Sequence, residues 1–163
     1  MLTEFQQNIV DGVIEHGWYT VGVFADQDGP SFNYTIGFCE TLGAPEFVIC
    51  GLPNKLMHSM LWEAFRKIKS GAMQVKDLAR WSDLIEGFDC ISRPVHASHI
   101  GPNYFASSLW YRKHRSGVPV PLSGFQLFWP SSTTGLFPWE AGCSEEVRKL
   151  QPQLYLPKAT GLA

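Results

Sequence analysis

Between residues 3 and 16 the apolar side chains Phe5, Ile9, Val13 and Ile14 recur at helical spacing. Thr3 and Gln6 form a T-x-x-Q pattern, in which a hydroxyl and a side-chain amide satisfy the orphan donors of a helix start. This predicts an amphipathic helix ending at His16-Gly17. The next two stretches, Trp18 to Ala25 and Ser31 to Phe38, are rich in β-branched and aromatic residues and flank the turn-formers Asp26-Gln27-Asp28-Gly29-Pro30. They predict a hairpin. In its second strand Phe32, Tyr34, Ile36 and Phe38 alternate with Ser31, Asn33, Thr35 and Gly37, so one face is bulky and the other small and polar.

The run Glu46-Phe47-Val48-Ile49-Cys50-Gly51-Leu52 is too apolar for a half-exposed strand and predicts one buried on both faces. Asn54 then caps an expected helix in which Leu56, Met60, Ala64 and Ile68 repeat beside Met57, Leu61 and Phe65, closed by Gly71. Lys55, His58, Arg66, Lys67 and Lys69 occupy its polar face, which reads as a solvated surface rather than a phosphate site. Residues 73–86 fit neither period. Phe88 to Val95 predict a strand that Pro94 restricts to an edge or an end, and Pro102-Asn103 open a helix through Tyr104, Phe105, Leu109, Trp110 and Tyr111. Phe125 to Trp129 predict a last strand, stopped by Pro130. This order of elements implies a single α+β domain over residues 1–150, with a mixed or antiparallel sheet, an N-terminal hairpin and three or more packed helices. Residues 151–163 read as an irregular, peripheral tail.

Composition narrows the function classes. The chain has 163 residues, of which 45% are hydrophobic, 13% aromatic and only 17% charged, against about 25% charged in an average soluble domain. Thirteen Lys and Arg against fifteen Asp and Glu give a net charge of -2, so there is no basic footprint for a nucleic-acid backbone. No window approaches the length of apolar sequence that a membrane span needs, and no membrane association is expected. Cys39, Cys50, Cys90 and Cys143 are too far apart for a CxxC pair, and no apolar secretory segment precedes them, which makes a reduced cytoplasmic protein the expectation.

The phosphate loop GxxxxGK[ST], the dinucleotide motif GxGxxG, HExxH and GxSxG do not occur. Cys90, His96 and His99 do not form a recognised zinc set, and no metal is expected. No Arg, Ser and Thr cluster suits a flavin phosphate, so no cofactor is expected either. More unusual are two Trp motifs, Gln126-Leu127-Phe128-Trp129-Pro130 and Gly135-Leu136-Phe137-Pro138-Trp139-Glu140, on either side of a polar turn. Prolines fix the backbone beside Trp129 and Trp139, as in a rigid ligand wall, although aromatics in this density also simply close a core. Glu140, flanked by apolar residues, is a candidate acid–base group whose alternatives are capping a turn or pairing with an Arg. His16 is the second candidate, and its alternative is a helix C-terminal cap. Trp18, Tyr34, Thr35 and Gln126 complete the expected ligand-binding set, with Gly37 leaving space beside Thr35. Cross-strand Thr–Gln hydrogen bonds explain the same letters.

Several separated motifs in order resemble the mainly bacterial domain-of-unknown-function family 4262. They are His16-Gly17-Trp18 followed by Val21-Gly22-Val23, Tyr34-Thr35-Ile36-Gly37-Phe38, Pro45-Glu46 leading to Gly51-Leu52, Trp110-Tyr111-Arg112, and the two Trp motifs. Members usually carry Asp after the Trp-Pro pair, where this chain has Ser131, and Leu where Phe38 stands. The resemblance implies a common fold and brings no assigned reaction or substrate. Two functions follow from the residues. The first is an unidentified small molecule bound in an aromatic-walled pocket, with proton transfer or hydrolysis by Glu140 and His16 and with Tyr34, Thr35 and Gln126 as orienters. The second is a non-catalytic interaction module, an inhibitor or regulator of a bacterial or phage protein, with exposed aromatics as anchors and a homodimer as a mild expectation.

Overall fold

The computed structural model describes residues 1–159. Six strands, β1 (Tyr19–Val23), β2 (Phe32–Ile36), β3 (Glu46–Cys50), β4 (Ala79–Ile85), β5 (Phe88–Pro94) and β6 (Gly124–Phe128), form one sheet in the order β1-β2-β3-β6-β5-β4. Only β3 and β6 run parallel, and β1-β2 and β4-β5 are hairpins. The helices are α1 (Glu4–His16), α2 (Phe38–Leu42), α3 (Asn54–Lys69), α4 (Ala106–Ser116) and α5 (Glu145–Leu150), with a 3-10 turn at Ala97–His99. The result is a single α+β domain with a mixed sheet and the expected N-terminal hairpin.

The alternation of side chains along each strand divides the core into two layers. On one face α3 brings Met57, Met60, Leu61, Ala64 and Phe65 against Phe47 and Ile49 of β3, Leu127 of β6, Trp81 of β4 and Trp129. On the other, Ile9 and Val13 of α1, with Tyr111 of α4 and Phe105 just before that helix, pack on Tyr34, Ile36, Val48 and Cys50. A third cluster under β5 and β6 joins Ile91, Phe128 and Phe137, with Trp139 and Tyr155 packed against it.

The capping box at Thr3 forms as the sequence reads, with Thr3 Oγ1 accepting from Gln6 N and Gln6 Oε1 accepting from Thr3 N. Asn54 does not cap α3. It is the first helical residue, Pro53 holds the N-cap position, and no side chain caps the helix. The stretch 73–86 contains β4, whose alternation is broken because the register shifts between Trp81 and Ile85 and Asp83 has φ 63°. Pro94 lies at the end of β5, an interior strand. Helix α2, read as the end of a strand, starts instead at Gly37, whose φ of 100° turns the chain out of β2.

Residues 152–159 have no helix or strand, yet they pack on the sheet. Leu154 is buried, Gln126 Nε2 donates to Pro152 O, Gln126 Oε1 accepts from Leu154 N, and His96 N donates to Leu154 O. Gln151 brackets Trp129 in the same way, accepting from its N and donating to its O. Two glutamines thus act as a substitute strand edge for irregular backbone. Gln126→Leu strands a buried N–H and a carbonyl and should destabilise the fold by about 2–4 kcal/mol, read by urea denaturation, with earlier proteolysis near residue 152. Unchanged stability would show that the tail is held by packing alone.

Candidate functional site

Where α3 crosses the hairpin, its close packing stops. On this face β1 and β2 present Thr20, Gly22, Asn33 and Thr35, while β3, β6 and β4 present Phe47, Ile49, Leu127 and Trp81. At the edge of this face a cleft of about 300 Å³ is lined by His16, Trp18, Tyr19, Thr20, His58 and Trp62. Three elements supply it. His16 ends α1, and Gly17 in the left-handed region turns the chain into Trp18. Thr20 projects from edge strand β1, and His58 and Trp62 stand one turn apart on α3.

Trp18 is 2% exposed and sits at the centre. Trp62 meets it at 85° with ring centroids 5.1 Å apart, and His58 meets it at 66° and 5.8 Å. His16 meets Trp62 at 80°, and its Nε2 lies 3.8 Å from Glu15 Oε2. Arg66 covers Trp62 with its guanidinium 4.9 Å from the ring centroid. The Trp18 Nε1 donor is buried with no partner among the described residues. Leaving such a donor unpaired costs about 1–3 kcal/mol. The cleft therefore combines aromatic walls and two imidazoles with a neighbouring indole whose donor is buried and unpartnered.

Only His16 and Trp18 of the sequence-derived site residues line this cleft. Thr35 lies on the same sheet face but deeper, where its Oγ1 donates to Glu46 Oε1 and accepts from Phe47 N. Trp129, also on this face, donates Nε1–H to Cys50 O. Tyr34 points to the opposite face and accepts from Ser107 N. Gln126 shares that opposite face and binds the tail. Trp139 stacks on Phe137 and packs against Phe128 and Tyr155, with the Arg93 guanidinium over it. Glu140 Oε2 accepts from Phe137 N, and the Glu140 carbonyl accepts from Arg148, which is a turn cap. Of the possible metal residues, Cys90 is buried in the α3 layer, His96 Nδ1 meets Ser98, and His99 Nε2 meets Leu156 O.

The sequence reading gave no chemical role to Glu46, although a carboxylate opening a fully apolar strand was the available signal. Glu46 is 1% exposed. Its Oε1 accepts from Thr35 Oγ1 at 2.7 Å and Phe38 N at 3.1 Å, and its Oε2 from Cys39 N at 3.0 Å. It thus ties β2 and β3 to the start of α2. Burial pushes its carboxyl up to about 7, against the opposing pull of these donors. Beside it, Arg112 of α4 contacts Cys39 Sγ and lies 3.8 Å from Glu40. Burial also pushes the thiols of Cys50 and Cys90 up to about 12, which makes both poor nucleophiles.

Residues 12–144 match the model of a family described as a domain of unknown function (DUF4262), and the chain belongs to that family. No curated protein and no solved structure matches it. No helix among the described residues is long and apolar enough to cross a membrane.

The Glu46 environment predicts a pH dependence. The folded state holds this proton up to about pH 7, and the unfolded chain releases it near the ordinary value of 4.5. The native state therefore binds the proton more tightly, and this stabilisation is complete at low pH and lost as pH rises through about 7. Its size is on the order of a few kcal/mol. Urea midpoints measured from about pH 5 to about pH 8 should fall, and Glu46→Gln should remove that slope even if it shifts the whole curve. A slope that persists in the variant would place the titration elsewhere.

Proposed function

We propose that this protein binds a small molecule in the cleft between β1 and α3, with His16 and His58 as the groups that exchange protons with it. The observation that carries the reading is that three separate elements bring two imidazoles and two indoles around a cavity of about 300 Å³, and that one of them, Trp18, has a buried Nε1 donor without a partner among the described residues. Cavities of this size fall at the lower end of small-molecule sites, and convergent polar groups on apolar walls are their usual lining. A ligand acceptor seated at Trp18 Nε1 relieves the unpaired donor. Histidine is the side chain suited to move a proton near neutral pH, and the Glu15 carboxylate lies 3.8 Å from His16 Nε2. Hydrolysis or proton transfer at this cleft uses the histidines, since Glu140 is not among its lining residues.

The four free cysteines fit a reducing bacterial cytoplasm as the setting. A second reading, an interaction module or homodimer, is favoured by Phe24, which is 87% exposed just beyond edge strand β1 and next to exposed Val23.

Mass spectrometry of small molecules released from natively purified protein should recover one compound in roughly stoichiometric amount from the wild type and none from Trp62→Ala. Circular dichroism should confirm that the variant is folded. Recovery of nothing from either, or of the same compound from both, would overturn the cleft reading. For the second reading, light scattering should report a dimer that Phe24→Asp dissociates; a strict monomer counts against it.

A further inference from the structure

A second cleft of about 220 Å³ adjoins the first, lined by Thr20, Gly22, Val23, Phe24, Ser31, Asn33 and Asn54. Thr20 lines both. Asn54 and His58 are one turn apart on α3, so the two cavities follow the same helix face and the same edge strand. Asn33 is 1% exposed, yet its Oδ1 has no partner among the described residues, and its Nδ2 reaches only Asn54 O at 3.5 Å. Two of the four buried, unpartnered side-chain atoms among the described residues, Trp18 Nε1 and Asn33 Oδ1, thus belong to residues lining this pair of cavities.

Gly22 lets two amides come close to the edge strand here. A Cβ at this position would stand 2.5 Å from Asn54 Oδ1 and 3.0 Å from Asn33 Oδ1. The missing side chain lets both amide oxygens pack against the Gly22 backbone beside the cavity. Neither cavity has a Lys, Arg, Asp or Glu among its lining residues. Beyond the lining, the nearest charges are Arg66 over Trp62 and Glu15 beside His16, both solvent-exposed, so a charged ligand losing its hydration would be poorly repaid.

Resting on the proposed cleft, we infer that the ligand is a neutral polyhydroxyl compound, a monosaccharide or short oligosaccharide. Its hydroxyls bind Thr20, Asn33 and Asn54 beside Gly22, and its C–H face lies against Trp62. A hydroxyl both donates and accepts, so it satisfies an amide in either orientation, and it supplies the donor that Asn33 Oδ1 lacks and the acceptor that Trp18 Nε1 lacks. A flat heteroaromatic base fits less well. Bases favour parallel stacking platforms, and the rings around Trp18 meet at 85° and 66°, forming a corner instead of a slot. Because no carboxylate lines the cleft, the two-carboxylate route for cleaving glycosidic bonds has no residues to run on, and the role is binding or proton transfer.

Titration calorimetry with a panel of neutral mono- and disaccharides, adenosine and glucose 6-phosphate tests the class. At least one neutral sugar should bind at least about tenfold more tightly than adenosine or the phosphate ester, a difference of about 1.4 kcal/mol. Gly22→Ala, which displaces the exposed Asn54 amide first, and Asn33→Ala, which removes the unpartnered Oδ1, should each weaken it at least about tenfold, with circular dichroism showing that the variants stay folded. Tighter adenosine binding that Trp62→Ala abolishes would overturn the sugar class and leave the cleft standing. Absence of all sugar binding would also overturn the class, with the release experiment deciding the cleft separately. Sugar binding unaffected by Gly22→Ala, Asn33→Ala and Trp62→Ala would overturn both.

Discussion

Helix α3 lies across a sheet face whose side chains change from large to small along its width. Over β3, β6 and β4 it meets Phe47, Ile49, Leu127 and Trp81, each fully buried, and the layers close. Over β1 and β2 it meets Thr20, Gly22, Asn33 and Thr35; Asn33 and Thr35 are themselves buried, and the openings lie along edge strand β1. Protein interiors are packed to crystal-like density, so a region that cannot be filled is either collapsed or left open to solvent and ligands. Here the closed half fixes the helix, and the open half is held apart by it. The clefts follow from that mismatch more than from any single residue.

Rigidity around the opening has its own sources. Glu46 and Thr35 fasten β2, β3 and α2 together through four hydrogen bonds inside the core. Trp18 is gripped by Phe38, Phe65, His58 and Trp62, which orients it before any ligand arrives. His58 and Trp62 stand on a helix and Thr20 on a strand, while Trp18, in the connection between α1 and β1, is held by the rings around it. The cost appears as buried polar atoms without partners, a common expense at functional sites.

Much of this was legible in the chain. The alternation of Phe32, Tyr34 and Ile36 with Asn33 and Thr35 announced a bulky and a small polar face, and His16-Gly17-Trp18 announced a junction. The helix carrying His58 and Trp62 was plain from its apolar period, but its polar face read as solvated surface because sequence does not say which strand lies opposite. Asn33 and Asn54 are distant in sequence and meet only through the crossing of α3 over β2. The two Trp motifs drew attention for their composition, yet Trp129 and Trp139 have their partners within the core: the former bonds to Cys50 and Gln151, and the latter stacks among Phe137, Phe128 and Tyr155. Strand β4 and the tail contacts were not legible, because a bulge hides the period of the one and side-chain amides on remote strands hold the other.

The most direct test follows the side-chain nitrogen signals of the labelled protein by NMR as a bound ligand is removed and restored. Signals from the indoles of Trp18 and Trp62 and the amides of Asn33 and Asn54 should move together, while those of Trp81, Trp129, Gln126 and Gln151 stay in place. Movement confined to the second group, or none at all, would contradict a ligand seated where the small face of the hairpin meets α3.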